Sequence, residues 1–137
     1  PTVSSQFDLG RLTQAVDDPS KVLTLVSGER GATPRNDLPS IARAFGHRTH
    51  FAHLRNVTKE PDGSFMESAH LAGDVDLVAV IDELLEAETR RSLNIPFRAD
   101  HGHALLSDIG QTFQPGYTMI GRLRGLAEMR GIIAALS

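Results

Sequence analysis

Val22-Leu23-Thr24-Leu25-Val26 is a short continuous apolar run closed by Ser27-Gly28. It is too short for a helix and is expected to be a strand covered on both faces, the signature of a parallel sheet. Upstream, Ser5 and Asp8 have the spacing of a capping box for a helix through Val16, broken by Asp17-Asp18-Pro19. Downstream, a loop over Ser27–Asp37 leads to a helix capped by Asp37. Leu38, Ile41, Ala42 and Phe45 are its apolar positions and Gly46 its stop. Arg48–Val57 reads as a second strand and Thr58–Gly73 as a polar loop. Asp74 opens a third helix, with Leu77, Val80, Ile81, Leu84 and Leu85 in one stripe and Arg90 and Arg91 suited to its negative C-terminal end. Ile95–Asp100 is a third strand. Gly116 precedes a last helix whose buried side is expected to carry Ile120, Leu123, Ala127 and Ile133.

The resulting order, α-β-α-β-α-β-α, implies an α/β fold: about three parallel strands with flanking helices and right-handed crossovers. A complete (β/α)₈ barrel takes roughly 250 residues. The 137 residues here make one domain, either a small open α/β unit or part of a larger barrel. As part of a barrel it carries an uncovered inner face and an open sheet edge, which are expected to pair with another chain.

Composition excludes several functions. A net charge of −3 supplies no basic face for nucleic acid. No apolar run approaches the ~20 residues of a membrane span, and Pro1–Phe7 shows no signal-peptide pattern. With no cysteine, disulfides, thiolate metal sites and cysteine nucleophiles are ruled out. A cytoplasmic location is the expectation.

Three groups of residues can carry chemistry. In His53-Leu54-Arg55-Asn56, strand alternation puts Phe51, His53 and Arg55 on one face. A neutral imidazole there can bind a divalent metal and the guanidinium can fork onto a carboxylate; a hydrogen-bonded core histidine with a surface arginine is the competing reading. In Arg98-Ala99-Asp100-His101-Gly102-His103, Asp100 offers a hard oxygen donor and His101 a general acid or base, against the reading of a plain polar loop. Tyr117 can donate a proton to a leaving hydroxyl or simply pack. His70 lies in the polar loop, which can form a lid over a barrel mouth. The glycines of Ser27–Asp37 lack a Gly-Lys-Ser/Thr element, so no nucleotide site is read there. Gly121 and Gly125 mark a close helix contact.

Taken in order, LTLVSGERGATPRNDLP (23–39), HFAHLRNV (50–57), DGSFMESAHLAGDVD (62–76), RADHGHALLSD (98–108) and PGYTMIGRLRGLAEMRG (115–131) resemble the C-terminal part of mannonate dehydratase. The resemblance spans almost all of the chain. It implies part of a TIM-type (β/α)₈ barrel of the xylose-isomerase-like group. It also implies dehydration of D-mannonate to 2-keto-3-deoxy-D-gluconate with Mn²⁺ or Fe²⁺. By this resemblance His53 and Asp100 fall on metal ligands, His101 and Tyr117 on catalytic residues, and Arg55 on the group that grips the substrate acid. His70 is a further substrate-binding candidate.

Three departures qualify the resemblance. Val26 stands where the family has a cysteine ligand, and another histidine ligand belongs to an earlier strand that this chain lacks. Met66 stands where the family often has histidine. The expected activity is therefore that of a fragment, inactive alone, which pairs with a second copy or with the complementing N-terminal barrel part. The competing readings are a degenerate binding or structural domain that keeps the scaffold without catalysis, and a different metal-dependent isomerase or lyase on the same scaffold.

Overall fold

The computed structural model describes residues 3–137, so the signal-peptide expectation at Pro1 and Thr2 lies outside the described residues. Helix α1 (Gln6–Ala15) begins with the expected capping box, in which Asp8 N–H donates to Ser5 Oγ at 3.1 Å and Ser5 N–H to the Asp8 carboxylate at 3.1 Å. Strand β1 (Leu23–Val26) runs into a short helix, α2 (Ser27–Gly31), where the sequence suggested a loop. Helix α3 (Leu38–Phe45) and a 3₁₀ turn lead to β2 (Thr49–Leu54). A hairpin of β3 (Val57–Lys59) and β4 (Phe65–Glu67) precedes α4 (Leu77–Arg91), β5 (Phe97–Ala99) and α5 (Met119–Leu136).

Among the described residues, the main sheet has the order β1-β2-β5, all parallel, as the alternation of elements requires. Leu25, Ala52 and Phe97 are in register in one row, and Val26, His53 and Arg98 in the next. Leu25, Ala52, Leu54 and Ala99 point into the core with Ile41 and Ala42 of α3 and Leu77, Val80, Ile81 and Leu84 of α4. Complete burial of Ile41, Leu54 or Val80 contributes roughly 1.5–3 kcal/mol each, so this face sets the fold. The opposite face, with Thr24, Phe51 and His53, stays partly or wholly exposed. The run Val22–Val26 is thus covered on one face only, because the chain supplies one helical layer.

Several local expectations are corrected. Asp74 does not open α4: Asp76 caps it, accepting from Ala79 N–H at 3.0 Å, while the Asp74 carboxylate accepts from Lys59 N–H at 2.8 Å. Gly46 ends α3 without left-handed geometry (φ −55°). It is needed because a Cβ there would lie 2.7 Å from Ala87 Cβ, where α3 meets α4. The polar loop Thr58–Gly73 contains the β3–β4 hairpin, turned at Gly63 with φ +88°. On α5 the buried positions are Gly121, Gly125 and Met129, whereas Ile120 and Leu123 are exposed. The helix turns its glycine edge inward because only that edge lets it approach the backbone at Gly102 and the ring of His70.

No described helix is long and apolar enough to cross a membrane. A Cβ added at Gly125 would lie 2.1 Å from His70 Nδ1, and this ring is only 2% exposed. Gly125→Ala is therefore expected to lower stability by about 1–3 kcal/mol through overpacking. Gly131→Ala on the same helix, with nothing within 4 Å, is expected to raise it by about 0.5–1 kcal/mol. Urea unfolding of the two variants checks both signs.

Candidate active site

The site lies at the C-terminal ends of β2 and β5, where parallel strands expose polar ends to a mouth. Residues Val26, His53 and Arg98 come side by side there because the strands are in register. Asp100, one residue beyond β5, is buried at 6% exposure. Its Oδ1 accepts from Arg98 Nη2 at 2.5 Å and lies 3.4 Å from His53 Nδ1. Its Oδ2 is 3.9 Å from His101 Nε2. Burying a carboxylate without partners is costly, and Arg98 supplies the compensating charge.

His101 and Tyr117 are far apart in sequence but adjacent in space, with ring centroids 4.7 Å apart. The backbone holds them together: Gly102 N–H donates to Gly116 O at 2.8 Å, and Gly102 and Tyr117 form a parallel bridge. The imidazole is mostly buried and the tyrosine is 40% exposed. The imidazole and the phenol thus lie together, with the His53–Asp100 pair beside them.

Arg55 does not extend freely toward the mouth as a substrate clamp. It is buried, its stem rests against Gly28, and its Nε donates to Glu67 Oε2 at 3.0 Å while Nη2 bonds Oε1. Ser27 ties the ends of β1 and β2 together, accepting from Arg55 N–H at 2.8 Å and donating to Arg55 O at 2.6 Å. His70 is not on a lid. It is buried under α5 and its Nε2 bonds Leu54 O at 3.1 Å. Burial holds its pKa below the ordinary histidine value, opposed by the Leu54 hydrogen bond and, more weakly, by Glu128 and Glu67. The structure therefore brings His53, Asp100, His101 and Tyr117 together, keeps Arg55 behind Glu67, and leaves His70 out.

Two residues to which the sequence pattern assigned no role organise this region. Glu67 bonds both Arg55 and His101. The Pro61-Asp62-Gly63 turn between Val57-Thr58-Lys59 and Phe65-Met66-Glu67 is the hairpin signal that points to it. Asn56 is fully buried: its amide donates to His70 O at 2.7 Å and Val75 O at 2.8 Å, and its carbonyl accepts from Val57 N–H and Val75 N–H, both at 3.0 Å. Its satisfied amide fixes the path of residues 68–76.

His53 and Asp100 offer one nitrogen and one oxygen donor at a shared position, a suitable pair for a borderline divalent metal. Among the described residues no group of three or more His, Cys, Asp or Glu side chains has the arrangement of a metal site. Val26, paired with His53 in the sheet, has no ligating atom. The described residues thus close no metal shell.

Residues 2–137 match the family model described as D-mannonate dehydratase (UxuA). Mannonate dehydratase 2 of Agrobacterium fabrum is 46% identical over 139 residues, covering 98% of this chain and 35% of that protein. The mannonate dehydratase of Rhizobium meliloti is 48% identical over 144 residues, covering 98% and 36%. The crystal structure of mannonate dehydratase from Streptococcus suis serotype 2 superposes with a TM-score of 0.84 at 30% identity, covering 98% of this chain and 38% of that one. The chain spans about a third of the length of the curated relatives it matches.

The lowered pKa of His70 gives a signed pH dependence. The unfolded chain takes up this proton first as pH falls, so stability is complete above about 6.5 and declines below it until the folded protein also protonates. Thermal unfolding at pH 8 and pH 5.5 is expected to show a drop in Tm that is smaller in His70→Gln.

Proposed function

The chain belongs to the D-mannonate dehydratase family, and from that premise we propose that it supplies the C-terminal share of a sugar-acid dehydratase active site. The reaction removes the C2 proton of D-mannonate and expels the C3 hydroxyl as water; the enol then ketonises to 2-keto-3-deoxy-D-gluconate. The observation that carries this reading is the contact between His101 and Tyr117 beside the His53–Asp100 pair. One of His101 and Tyr117 takes the C2 proton and the other protonates the departing hydroxyl. Arg55 is held on Glu67 by both Nε and Nη2 and is not free to clamp the substrate carboxylate. His70 acts from behind, as packing under α5, and not as a substrate contact.

His53 and Asp100 would hold Mn²⁺ or Fe²⁺ together with donors from outside this segment. A divalent cation there supplies the charge that steadies the developing enediolate. A catalytic metal usually takes about three protein ligands plus an open position, and this chain provides two. The remaining strands come from the N-terminal barrel part or from a second copy of the chain. The open sheet face and the exposed Met119 and Leu123 beside β5 offer the surface on which such a partner packs. A cytoplasmic location follows from the same reading. The second reading, a degenerate non-catalytic domain, is favoured by one observation: Val26 sits in register with His53 where a ligand is needed.

Keto-acid formation from D-mannonate with Mn²⁺ separates the two. The chain alone is expected to turn over no substrate. With the complementing barrel part it is expected to be active, and Val26→Cys to increase that activity. His101→Ala or Tyr117→Phe should then lower turnover by about 10²–10⁴-fold. Silence of the complemented Val26→Cys form would favour the degenerate domain, and robust turnover by the chain alone would overturn the ligand argument.

A further inference from the structure

Glu67 takes no part in the proton transfers above, yet its carboxylate is the hub behind them. Oε1 lies 2.7 Å from His101 Nδ1, and Arg55 forks onto the same carboxylate through Nε and Nη2. The Arg55 guanidinium carbon also lies 5.7 Å from the ring centre of Phe65, two residues earlier on the same side of β4, so the cation is clamped to the hairpin at two points. An ionised carboxylate only accepts hydrogen bonds, so the ring nitrogen facing it carries the hydrogen. A neutral imidazole has one N–H, which leaves Nε2 bare on the side facing Asp100. Gly116 keeps the space open. At φ +80° it has no Cβ, and one placed there would lie 2.7 Å from His101 Nδ1 and 3.3 Å from Glu67 Oε1.

We propose that Glu67 is a positioning residue: anchored by Arg55, it fixes His101 as the Nδ1–H tautomer and leaves Nε2 as the nitrogen that exchanges a proton with a sugar-acid substrate. This rests on the dehydratase reading for the identity of the substrate, but the tautomer belongs to the chain itself. It also reassigns most of the Arg55 fork from substrate binding to holding the carboxylate that orients the histidine.

The test is the ring nitrogen spectrum of the ¹⁵N-histidine-labelled 137-residue chain, recorded without substrate about two pH units above the ordinary histidine pKa of about 6.5. Two-bond ¹H–¹⁵N couplings distinguish the tautomers. His70 is the internal control for folding, because its Nε2 faces the Leu54 carbonyl and must carry the hydrogen. In the unmodified chain His101 is expected as Nδ1–H and His70 as Nε2–H. Glu67→Ala should move His101 to the Nε2–H form favoured by a free histidine side chain, with His70 unchanged. Gly116→Ala should do the same by displacing the ring. Nε2–H at His101 in the unmodified chain overturns the proposal, as does Nδ1–H surviving in Glu67→Ala with a native His70 signal. If Glu67→Ala loses the His70 signal, the unmodified chain and Gly116→Ala decide. A chain that never shows the native His70 signal does not hold this arrangement, and that also overturns the proposal. Absent dehydration with Nδ1–H intact would sink only the functional reading.

Discussion

A helix can settle directly onto a neighbouring backbone only where no Cβ stands between them, and α5 does this over most of its first two turns. Gly121 rests against the carbonyl of His103 and the backbone at Gly102, Gly125 rests on the ring of His70, and Gly102 accommodates Arg122 in return. This contact presses the segment after β5 against the start of α5. Only in that position can Gly102 reach Gly116 and form its bridge with Tyr117, and only then do the rings of His101 and Tyr117 meet. The contact of His101 with Tyr117 is therefore a consequence of three missing side chains. His70 serves the same contact from below, as a buried ring anchored to Leu54.

Around that contact the charges are arranged so that each acid at the strand ends has a cation of its own. Asp100 is compensated by Arg98, and Glu67 by Arg55. His53 and His101 fall between the two acids, His53 beside Asp100 and His101 reaching both. A buried carboxylate without such a partner is costly. The arrangement needs the β3–β4 hairpin to deliver one of the two acids. Asn56 secures the hairpin's return, since all four of its amide hydrogen-bonding positions are taken by local backbone.

The sheet is built as one part of a closed structure. Its helical face is packed and its other face presents Thr24, Phe51 and His53 without a covering layer. The superposition on about two-fifths of the Streptococcus suis enzyme explains this asymmetry: in a barrel the second face points to an interior that strands from the remaining portion complete. The apolar Ile120 and Leu123 of α5 are left exposed because its glycine edge is committed inward.

Local pattern alone determined a good deal: the capping box of α1, the apolar stripes of α3 and α4, the three parallel strands, and the clustering of His53, Asp100 and His101 at strand ends. These are short-range consequences of side-chain period and capping chemistry, which act within a few residues. The tertiary structure decided what depends on contacts between distant segments. It supplied the partners for the close contact that Gly121 and Gly125 marked, left Ile120 and Leu123 exposed, buried His70, drew Arg55 back onto Glu67, and placed Tyr117 against His101. None of these follows from periodicity, because each is settled by which atoms can approach most closely once two elements meet, and that depends on the shape of both partners at once.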